Sequence, residues 1–228
     1  MSQRDIILRA LLNAGERLDA RQLVAGTEGN LSARLEDGSI LITASGRFKG
    51  RLTPNDLVRV SIDGEQLEGN ARMSSEGWAH LMAYRERSDI GAVVHAHPPH
   101  VLALNLRGWN MEAVPLAEAA YGFGAVPTCT FAVPGTPEGA EVIREWIGKR
   151  DALLLDRHGA LTVGSDLHQA LARMEMLEAV ARVILLAGGP ENIKPLKKED
   201  VARICDAALA AGSRREAVEA WANFVTPD

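Results

Sequence analysis

The stretch from Ser74 to His97, SSEGWAHLMAYRERSDIGAVVHAH, indicates how the fold presents its chemistry. Residues 74–87 have the pattern of a short helix capped by a serine, and residues 91–97 have the pattern of a strand. Strand side chains repeat every second residue, so His95 and His97 point to one face. Two imidazoles on a rigid strand form half of a metal site, although a lone His-x-His is common and means little by itself.

Two more residues make a metal site credible. Glu76 lies in the first turn of the helix before the histidine strand, and His158 follows the apolar run at 152–155. Taken singly, Glu76 is an acidic residue favoured near a helix N-terminus and His158 is a turn histidine. Together with His95 and His97 they supply three imidazoles and one carboxylate, a ligand set suited to zinc or a similar divalent ion.

The remaining pattern predicts intermixed strands and helices. Residues 31–35 and 39–43 indicate two strands joined by Glu36-Asp37-Gly38, because Asp-Gly is a hairpin signal. Further strands are predicted at 57–62, 129–133, 152–155 and 160–163, and helices at 4–23, 98–106, 137–149, 167–187 and 198–211. No repeat or long linker divides the chain, and the early hairpin favours a partly antiparallel sheet over a doubly wound one.

Composition limits the classes of function. The 228 residues carry a formal net charge of −5, which argues against nucleic acid as the main partner. Two cysteines, far apart and outside any Cys-x-x-Cys motif, give no disulfide framework and suit a reducing compartment. The N-terminal residues lack a signal-peptide apolar run, and no apolar run reaches the ~18 residues of a membrane span. We therefore expect a cytoplasmic protein that binds neither nucleic acid nor membrane.

Five short motifs together resemble the class II aldolase/adducin family, which includes L-fuculose-phosphate aldolase and L-ribulose-5-phosphate 4-epimerase. They occur in the family's order and at its separations, and the set is far more specific than any single motif. The motifs are Gly29-Asn30-Leu31-Ser32, Ile42-Thr43-Ala44-Ser45-Gly46, Ser74-Ser75-Glu76, His95-Ala96-His97 and Arg157-His158-Gly159. The resemblance implies an α/β fold, with residues 1–228 as one three-layer domain whose central, mostly antiparallel sheet is flanked by helices.

The resemblance also implies roles for individual residues. The family's aldolases hold zinc with a Glu and three His at the positions of Glu76, His95, His97 and His158, and Mn²⁺ or Co²⁺ is a possible replacement. The epimerases carry Asp where this chain has Glu76, which favours the aldolase side. His80 lies one turn after Glu76 and matches a family histidine, so it is either support behind the metal ligands or a solvent-facing residue.

The substrate phosphate binds in family loops that match three short segments here. The matching residues are Gly29, Asn30, Ser45, Gly46, Ser74 and Ser75. Free amides at a helix N-terminus and small residues that allow close backbone approach suit an anion. Plain helix capping and ordinary turns are the alternative interpretation. Arg47, Lys49 and Arg51 follow one loop, and a solvated basic loop is the better interpretation of these three.

One position departs from the family pattern. The aldolases use a Tyr from the neighbouring subunit to protonate the leaving aldehyde oxygen, and Phe131 stands in its place. A phenyl ring cannot donate that proton. Tyr84 has the pattern of a core-helix residue, so Tyr121 is the remaining candidate for a catalytic phenol. The resemblance otherwise implies a homotetramer arranged as a four-fold ring, and the aromatic residues of Trp221-Ala222-Asn223-Phe224 suit docking on a neighbour.

The function expected from these residues is that of a zinc-dependent aldehyde-lyase. It would cleave a small phosphorylated ketose such as L-fuculose 1-phosphate through a zinc-stabilised enediolate, with Glu76 moving a proton at the reacting carbon. Decarboxylation or dehydration of a phosphorylated 3-oxo sugar acid uses the same chemistry and stays open. Epimerisation of L-ribulose 5-phosphate and a non-catalytic adducin-like assembly module are further alternatives.

Overall fold

The computed structural model describes residues 2–109, 111–112 and 114–225, so the outermost residues of the predicted domain lie outside the description. Its strands are β1 (Asn30–Arg34), β2 (Ile40–Thr43), β3 (Leu57–Val60), β4 (Gln66–Glu68), β5 (Ala92–Ala96), β6 (Thr128–Cys129), β7 (Ala152–Leu155) and β8 (Gly159–Gly164). They form one sheet in the order β4-β3-β2-β1-β5-β8-β7-β6. Within the described ranges only β6 and β7 pair in parallel, which confirms the mostly antiparallel sheet.

The helices frame this sheet. They are α1 (Gln3–Ala20), α2 (Gly77–Glu86), α3 (Pro99–Leu106), α4 (Ala117–Gly122), α5 (Pro137–Glu141), α6 (Arg144–Ile147), α7 (Leu167–Leu186), α8 (Lys198–Ala210) and α9 (Arg215–Val225). Short 3₁₀ turns occupy Lys49–Arg51, Pro54–Asp56 and Pro190–Asn192. The helix predicted over 137–149 is broken into α5 and α6, and the sequence pattern missed the short elements α4 and β4.

Two apolar cores lie on opposite faces of the sheet, as strand periodicity requires. Val94 packs in the core under α1, α3 and α7, whereas its neighbour Val93 packs in the core under α2 and α6. His95 shares the face of Val93, so the histidine pair lies on the α2 side. The expected three layers, with helices on both faces of a central sheet, are confirmed.

Helix α2 begins later than predicted, and no serine caps it. Its N-cap is Glu76, and the serine side chains make no capping hydrogen bond. Met73 pairs with Ala44 in an isolated bridge, and the amide of Ser74 donates to Thr43 O at 3.3 Å. These contacts hold residues 73–74 extended beside β2, so the helix can begin only after them. The predicted start at Ser74 was therefore wrong by one turn.

The expectation that Trp221 docks on a neighbouring subunit was also wrong. Trp221 is fully buried in its own chain, and its Nε1 donates to Val114 O at 2.6 Å. Helix α9 is amphipathic and packs its apolar side on α4 and α8, which covers Trp221 and leaves Phe224 half-exposed. Both cysteines are free thiols, in agreement with the sequence analysis. None of the described helices combines the length and apolar character needed to cross a bilayer.

Candidate metal centre

Glu76, His95, His97 and His158 converge at one end of the sheet. Each offers a ligand atom, and these atoms all lie within 4.8 Å of one another. The side chain of His95 is 2% exposed, that of His158 14% and that of Glu76 22%, so the cluster lies at the bottom of a depression. The spacing of the four atoms is close enough for a single ion to contact all of them.

The sheet brings these residues together from distant parts of the chain. His95 lies one residue before the end of β5, His97 follows that strand directly, and His158 lies in the turn that connects β7 to β8. Strands β5 and β8 are antiparallel neighbours with His95 opposite Leu161, so the end of β5 meets the start of β8. A side chain at Gly159 would come within 2.5 Å of Ala96 O and 2.8 Å of the His97 ring. Only glycine leaves room there for the imidazoles.

The hydrogen bonds of the imidazoles define which nitrogens are free. Nδ1 of His95 donates to Ala160 O at 2.9 Å, and Nδ1 of His97 faces the carboxylate of Glu28 at 3.1 Å. Both rings therefore present Nε2, and these two nitrogens are 3.1 Å apart. In neutral rings each Nε2 carries a lone pair, and two lone pairs repel at this distance unless a cation lies between them. This arrangement fits a divalent metal ion.

The carboxylate of Glu76 adds a negative charge beside the Nε2 atoms of His95 and His158. Its Oε2 lies 2.8 Å from His95 Nε2, and its Oε1 lies 3.3 Å from His158 Nε2. Burial alone would raise the pKa of this carboxyl, but the contacts with His158 and His95 outweigh burial and hold its pKa well below the usual range. The Glu76 side chain is therefore an anion at neutral pH, as a metal ligand must be.

His97 is neutral at physiological pH for a related reason. Burial, together with the neighbouring imidazoles of His95 and His158, lowers the pKa of His97 to about 4. A neutral imidazole can give its lone pair to a metal without first losing a proton. Glu76 and His97 are thus in the protonation states that metal binding requires.

His80 lies behind the metal cluster, and the solvent-facing alternative for it was wrong. The residue is completely buried, and its Nδ1 lies 2.7 Å from the hydroxyl of Ser32, which is 2.9 Å from the hydroxyl of Tyr84. If Tyr84 donates to Ser32 and Ser32 donates to Nδ1, the proton of His80 resides on Nε2. Nε2 has no hydrogen-bond partner among the described protein groups. Tyr84 is a buried core-helix residue, as predicted.

The predicted phosphate residues lie around the same end of the sheet. Asn30 Nδ2 donates to Ser74 Oγ at 3.2 Å and to Glu76 Oε2 at 3.3 Å, which joins the first loop to the metal cluster. Ser45 N donates to Arg72 O at 2.9 Å, so the second and third loops are held side by side. Because the amides of Ser45 and Ser74 are already engaged, an anion here would depend on other amides and on hydroxyl groups.

The two predicted loop glycines differ in what constrains them. Gly29 has φ of +71°, and a Cβ there would come within 2.9 Å of His95 O, so a larger residue would displace the histidine strand. Gly46 has φ of +69°, and a Cβ there would meet nothing within 4 Å. The open space at Gly46 is consistent with a binding loop, whereas Gly29 is needed for close backbone approach.

A cavity opens to solvent beside the cluster, and its interior and open mouth together contain about 480 Å³ of space that no protein atom fills. Its walls include Asn30, Ser75, Glu76 and His158, together with a loop that runs from Thr130 to Thr136. Phe131 lies in this loop, and its residue surface is 56% exposed. Tyr121 lies in α4 and is not among the described residues that line this cavity, so its catalytic role stays a prediction.

Sequence reasoning missed two residues that contact the candidate ligands or the turn that carries one of them. Glu28 faces the ring of His97, and Asn105 accepts the amide of Arg157 at 2.8 Å. Arg157 has φ of +55°, so the Asn105 contact stabilises an uncommon backbone turn that presents His158. Glu28 looked like an ordinary turn residue, and the Asn105 contact spans 52 positions, so no local pattern could reveal either.

Sequence reasoning also placed Lys49 wrongly. Of the three residues assigned to a solvated basic loop, Arg47 and Arg51 are exposed, but Lys49 is 2% exposed. Its ammonium group is held inside the protein by backbone carbonyls. The pattern of alternating basic residues gave no sign of this, because burial depends on α1 packing over the turn that carries Lys49.

Comparison with known proteins identifies relatives of this site and fold. Residues 9–185 match the family described as Class II Aldolase and Adducin N-terminal domain. A 5-deoxy-D-ribulose 1-phosphate aldolase from Bacillus thuringiensis is 34% identical over 172 residues, which cover 74% of this chain and 79% of the relative. A 3-oxo-tetronate 4-phosphate decarboxylase from Escherichia coli K12 is 36% identical over 172 residues, which cover 74% and 81%.

The fold has a matching solved structure. The structure of an L-fuculose 1-phosphate aldolase superimposes with a TM-score of 0.79 at 29% sequence identity, and the match covers 91% of this chain and 97% of that one. These relatives agree in acting on small phosphorylated compounds, according to their names, but they differ in the reaction that they catalyse.

Proposed function

This chain belongs to the class II aldolase/adducin family, and from that premise we propose that it is a metal-dependent lyase for a small phosphorylated ketose or sugar acid. Aldol cleavage of a ketose 1-phosphate such as L-fuculose 1-phosphate is the leading reaction. The observation that carries the proposal is the convergence of Glu76, His95, His97 and His158 within 4.8 Å beside a cavity. Zinc suits three imidazoles and a carboxylate, and Mn²⁺ or Co²⁺ suits them less closely.

The metal would be held by these four side chains. When bound, it supplies a Lewis acid that polarises a substrate carbonyl. The imidazoles of His95 and His97 are fixed for this role by their Nδ1 contacts with Ala160 O and Glu28. Such outer contacts set the tautomer and the ring orientation, so the chain itself determines where the ligand nitrogens point.

Glu76 is the proposed acid/base residue. Its carboxylate lines the cavity and is ionised, so it can accept a proton from a substrate carbon or hydroxyl and return it later. Its position at the N-cap of α2, next to the exposed Ser75, places it between the metal cluster and the proposed phosphate loops. A phosphorylated substrate bound in those loops would bring its reacting carbons to this carboxylate.

Decarboxylation of a phosphorylated 3-oxo acid is the second candidate, and Phe131 favours it. In aldol chemistry the oxygen of the aldehyde exchanges a proton with an enzyme group, losing it to that group on cleavage and regaining it on condensation, whereas loss of carbon dioxide requires no such group. The loop that lines the cavity carries Phe131 where the resemblance requires a tyrosine for that proton. The decarboxylase relative from Escherichia coli is consistent with this alternative.

We further propose a homotetramer with the site at the border between subunits. The resemblance supplies the arrangement, and Phe131 supports it because its side chain projects to the surface beside the cavity, where a neighbouring chain could cover it. Multi-angle light scattering at micromolar concentration measures the assembly directly. A monomer under these conditions contradicts this part of the proposal.

A substrate panel tests the reaction. Zinc-loaded protein is incubated with L-fuculose 1-phosphate, 5-deoxy-D-ribulose 1-phosphate and 3-oxo-tetronate 4-phosphate, and both aldehyde and carbon dioxide are measured. Aldehyde from a ketose phosphate supports the leading reaction, and carbon dioxide from the oxo acid supports the second. Failure to form either product from any phosphorylated ketose or oxo acid contradicts the proposed lyase function.

A further inference from the structure

Lys49 is a buried cation at the junction of two loops. It starts the 3₁₀ turn Lys49–Arg51, and the residue is 2% exposed. Its Nζ donates to Thr27 O at 2.8 Å and also to Arg47 O. Thr27 lies just before the Gly29-Asn30 segment, and Arg47 lies just after Ser45-Gly46. The ammonium group therefore ties together two of the three loops proposed to bind phosphate.

The ammonium group of Lys49 has no carboxylate in contact with it among the described residues, and Glu76 acts on it only from a distance. Within the described ranges, Lys49 takes part in no ion pair with a carboxylate, in contrast to Arg47, which lies 3.2 Å from Asp56. A buried charge costs several kcal/mol unless it is paired. Burial lowers the pKa of Lys49 to about 8, and the carboxylate of Glu76 acts in the opposite direction, so the side chain is mostly protonated at pH 7.

A cation is not needed merely to join two carbonyl groups. A neutral donor such as a glutamine amide could form the same kind of hydrogen bond at a lower desolvation cost. The protein as a whole carries a net charge of −5 and so gives an anion no general attraction. A positive charge retained inside the protein at this point is therefore best explained by an anion that binds next to it.

We infer that Lys49 is the residue that selects a phosphate dianion at the proposed binding loops. This inference rests on the proposed function. The ammonium group fixes the backbone of both loops through Thr27 O and Arg47 O. Because it is buried, its charge is weakly screened and balances that of the bound phosphate. Lys49 is thus a positioning and specificity residue, and it takes no part in the bond-breaking step.

Inorganic phosphate binding to the zinc-loaded protein tests the inference without knowledge of the substrate. Calorimetry compares wild type with Lys49→Met, which removes charge and donor, and with Lys49→Gln, which removes the charge but keeps a donor. Arg47→Met is the matched control, because it removes a neighbouring cation that is exposed and already paired. Circular dichroism and thermal melting establish that each variant is folded.

We expect both Lys49 variants to bind phosphate at least ~10-fold more weakly than wild type, which corresponds to about 1.4 kcal/mol. The Arg47 control should stay within about twofold. Wild-type affinity should also fall between pH 7.5 and 10 as Lys49 loses its proton, while the affinity of Lys49→Gln stays comparatively flat. A role limited to joining the loops would not produce this difference in pH profile.

Several results would overturn the inference. If Lys49→Gln binds phosphate as tightly as wild type, the charge is not needed. If wild type and Lys49→Gln show the same dependence of phosphate affinity on pH, the charge is again not needed, and this result does not depend on whether Lys49→Met folds. If either result is obtained while Ser75→Asp abolishes phosphate binding, the proposed phosphate pocket is supported and only the role of Lys49 is refuted. If wild type binds no phosphate, or if Ser75→Asp leaves binding intact, the pocket itself falls and the inference falls with it.

Discussion

Oε2 of Glu76 lies 2.8 Å from Nε2 of His95, although the proton of a neutral His95 resides on the opposite nitrogen, where it is donated to Ala160 O. An anionic oxygen and a nitrogen lone pair therefore face each other at hydrogen-bond distance. A proton can relieve this contact only by making His95 a cation, whereas a divalent metal relieves it directly.

Purified protein should contain about one divalent metal ion, most often zinc, per chain. The His95→Ala/His97→Ala double variant removes two of four converging ligands and should lose the metal. His168→Ala is the control, because His168 is exposed and lies outside the cluster. Elemental analysis after purification without chelator gives the stoichiometry. Metal-free wild type, or a double variant that keeps its full complement, would show that the cluster is not a metal site and would favour an assembly module.

Glu76→Gln should reduce turnover roughly 10²–10⁴-fold, because it removes a general acid/base while keeping the shape of the side chain. The free energy of unfolding should change by less than about 1 kcal/mol, since glutamine is tolerated at the start of a helix. Glu86→Gln is a matched control at the other end of α2, where Glu86 pairs with Arg144 at 3.3 Å. Equal kcat in wild type and Glu76→Gln would remove Glu76 from the mechanism.

Ser75→Asp should raise KM steeply for a phosphorylated substrate and leave bound metal unchanged. Ser75 is exposed and lines the cavity, so the new carboxylate can fit without disturbing the fold and will repel the phosphate. Ser75→Ala removes only one hydroxyl and should cost about 1 kcal/mol or slightly more. Ser165→Asp adds the same charge beyond the far end of β8 and should leave KM unchanged.

The comparison that decides this prediction is kcat/KM for a phosphorylated ketose and its unphosphorylated form. Wild type should strongly prefer the phosphorylated form, and Ser75→Asp should lose that preference. If wild type turns over both forms equally well, the loops are ordinary turns and a free hydroxy-oxo acid becomes the better substrate class.

The metal-free protein should lose stability as the pH falls from about 6.5 towards 4. Burial, reinforced by nearby His95, lowers the pKa of His80 to about 3, whereas a histidine in the unfolded chain has a pKa near 6.5. Between these values the unfolded state binds the extra proton, so His80 lowers the free energy of unfolding by up to about 1.4 kcal/mol per pH unit of acidification. Above about 6.5 this contribution is constant.

Urea unfolding of wild type and His80→Phe in the presence of a chelator measures this effect. Between pH 6.5 and 4 the free energy of unfolding should change less steeply with pH in His80→Phe than in wild type. The difference in slope should correspond to the uptake of up to one proton on unfolding. Equal slopes in the two proteins would mean that His80 takes up a proton in the folded state. Tyr84→Phe is the control, because it removes a hydrogen-bond partner of Ser32 but no titratable imidazole. Its free energy of unfolding should be about 1–3 kcal/mol lower than that of wild type, with the same dependence on pH.

The sequence by itself determined the parts of this protein that rest on short-range periodicity and on residue type. Alternation in 91–97 placed His95 and His97 on one face, and the Asp-Gly hairpin indicated an antiparallel sheet. The motifs around Glu76 and His158 indicated a carboxylate and an imidazole as further candidate ligands. These features can be predicted from sequence because the direction of side chains along a strand and the residues favoured in a hairpin turn depend on local backbone geometry.

Tertiary structure decided what local patterns cannot encode. Pairing of residues 73–74 with β2 delayed the start of α2, and packing of α9 on α4 and α8 buried Trp221. The packing of α1 over the turn at Lys49 turned an apparent surface residue into an enclosed cation. In each case the outcome depends on contacts between segments far apart in the chain, whose free energy exceeds the local preference of the residues involved.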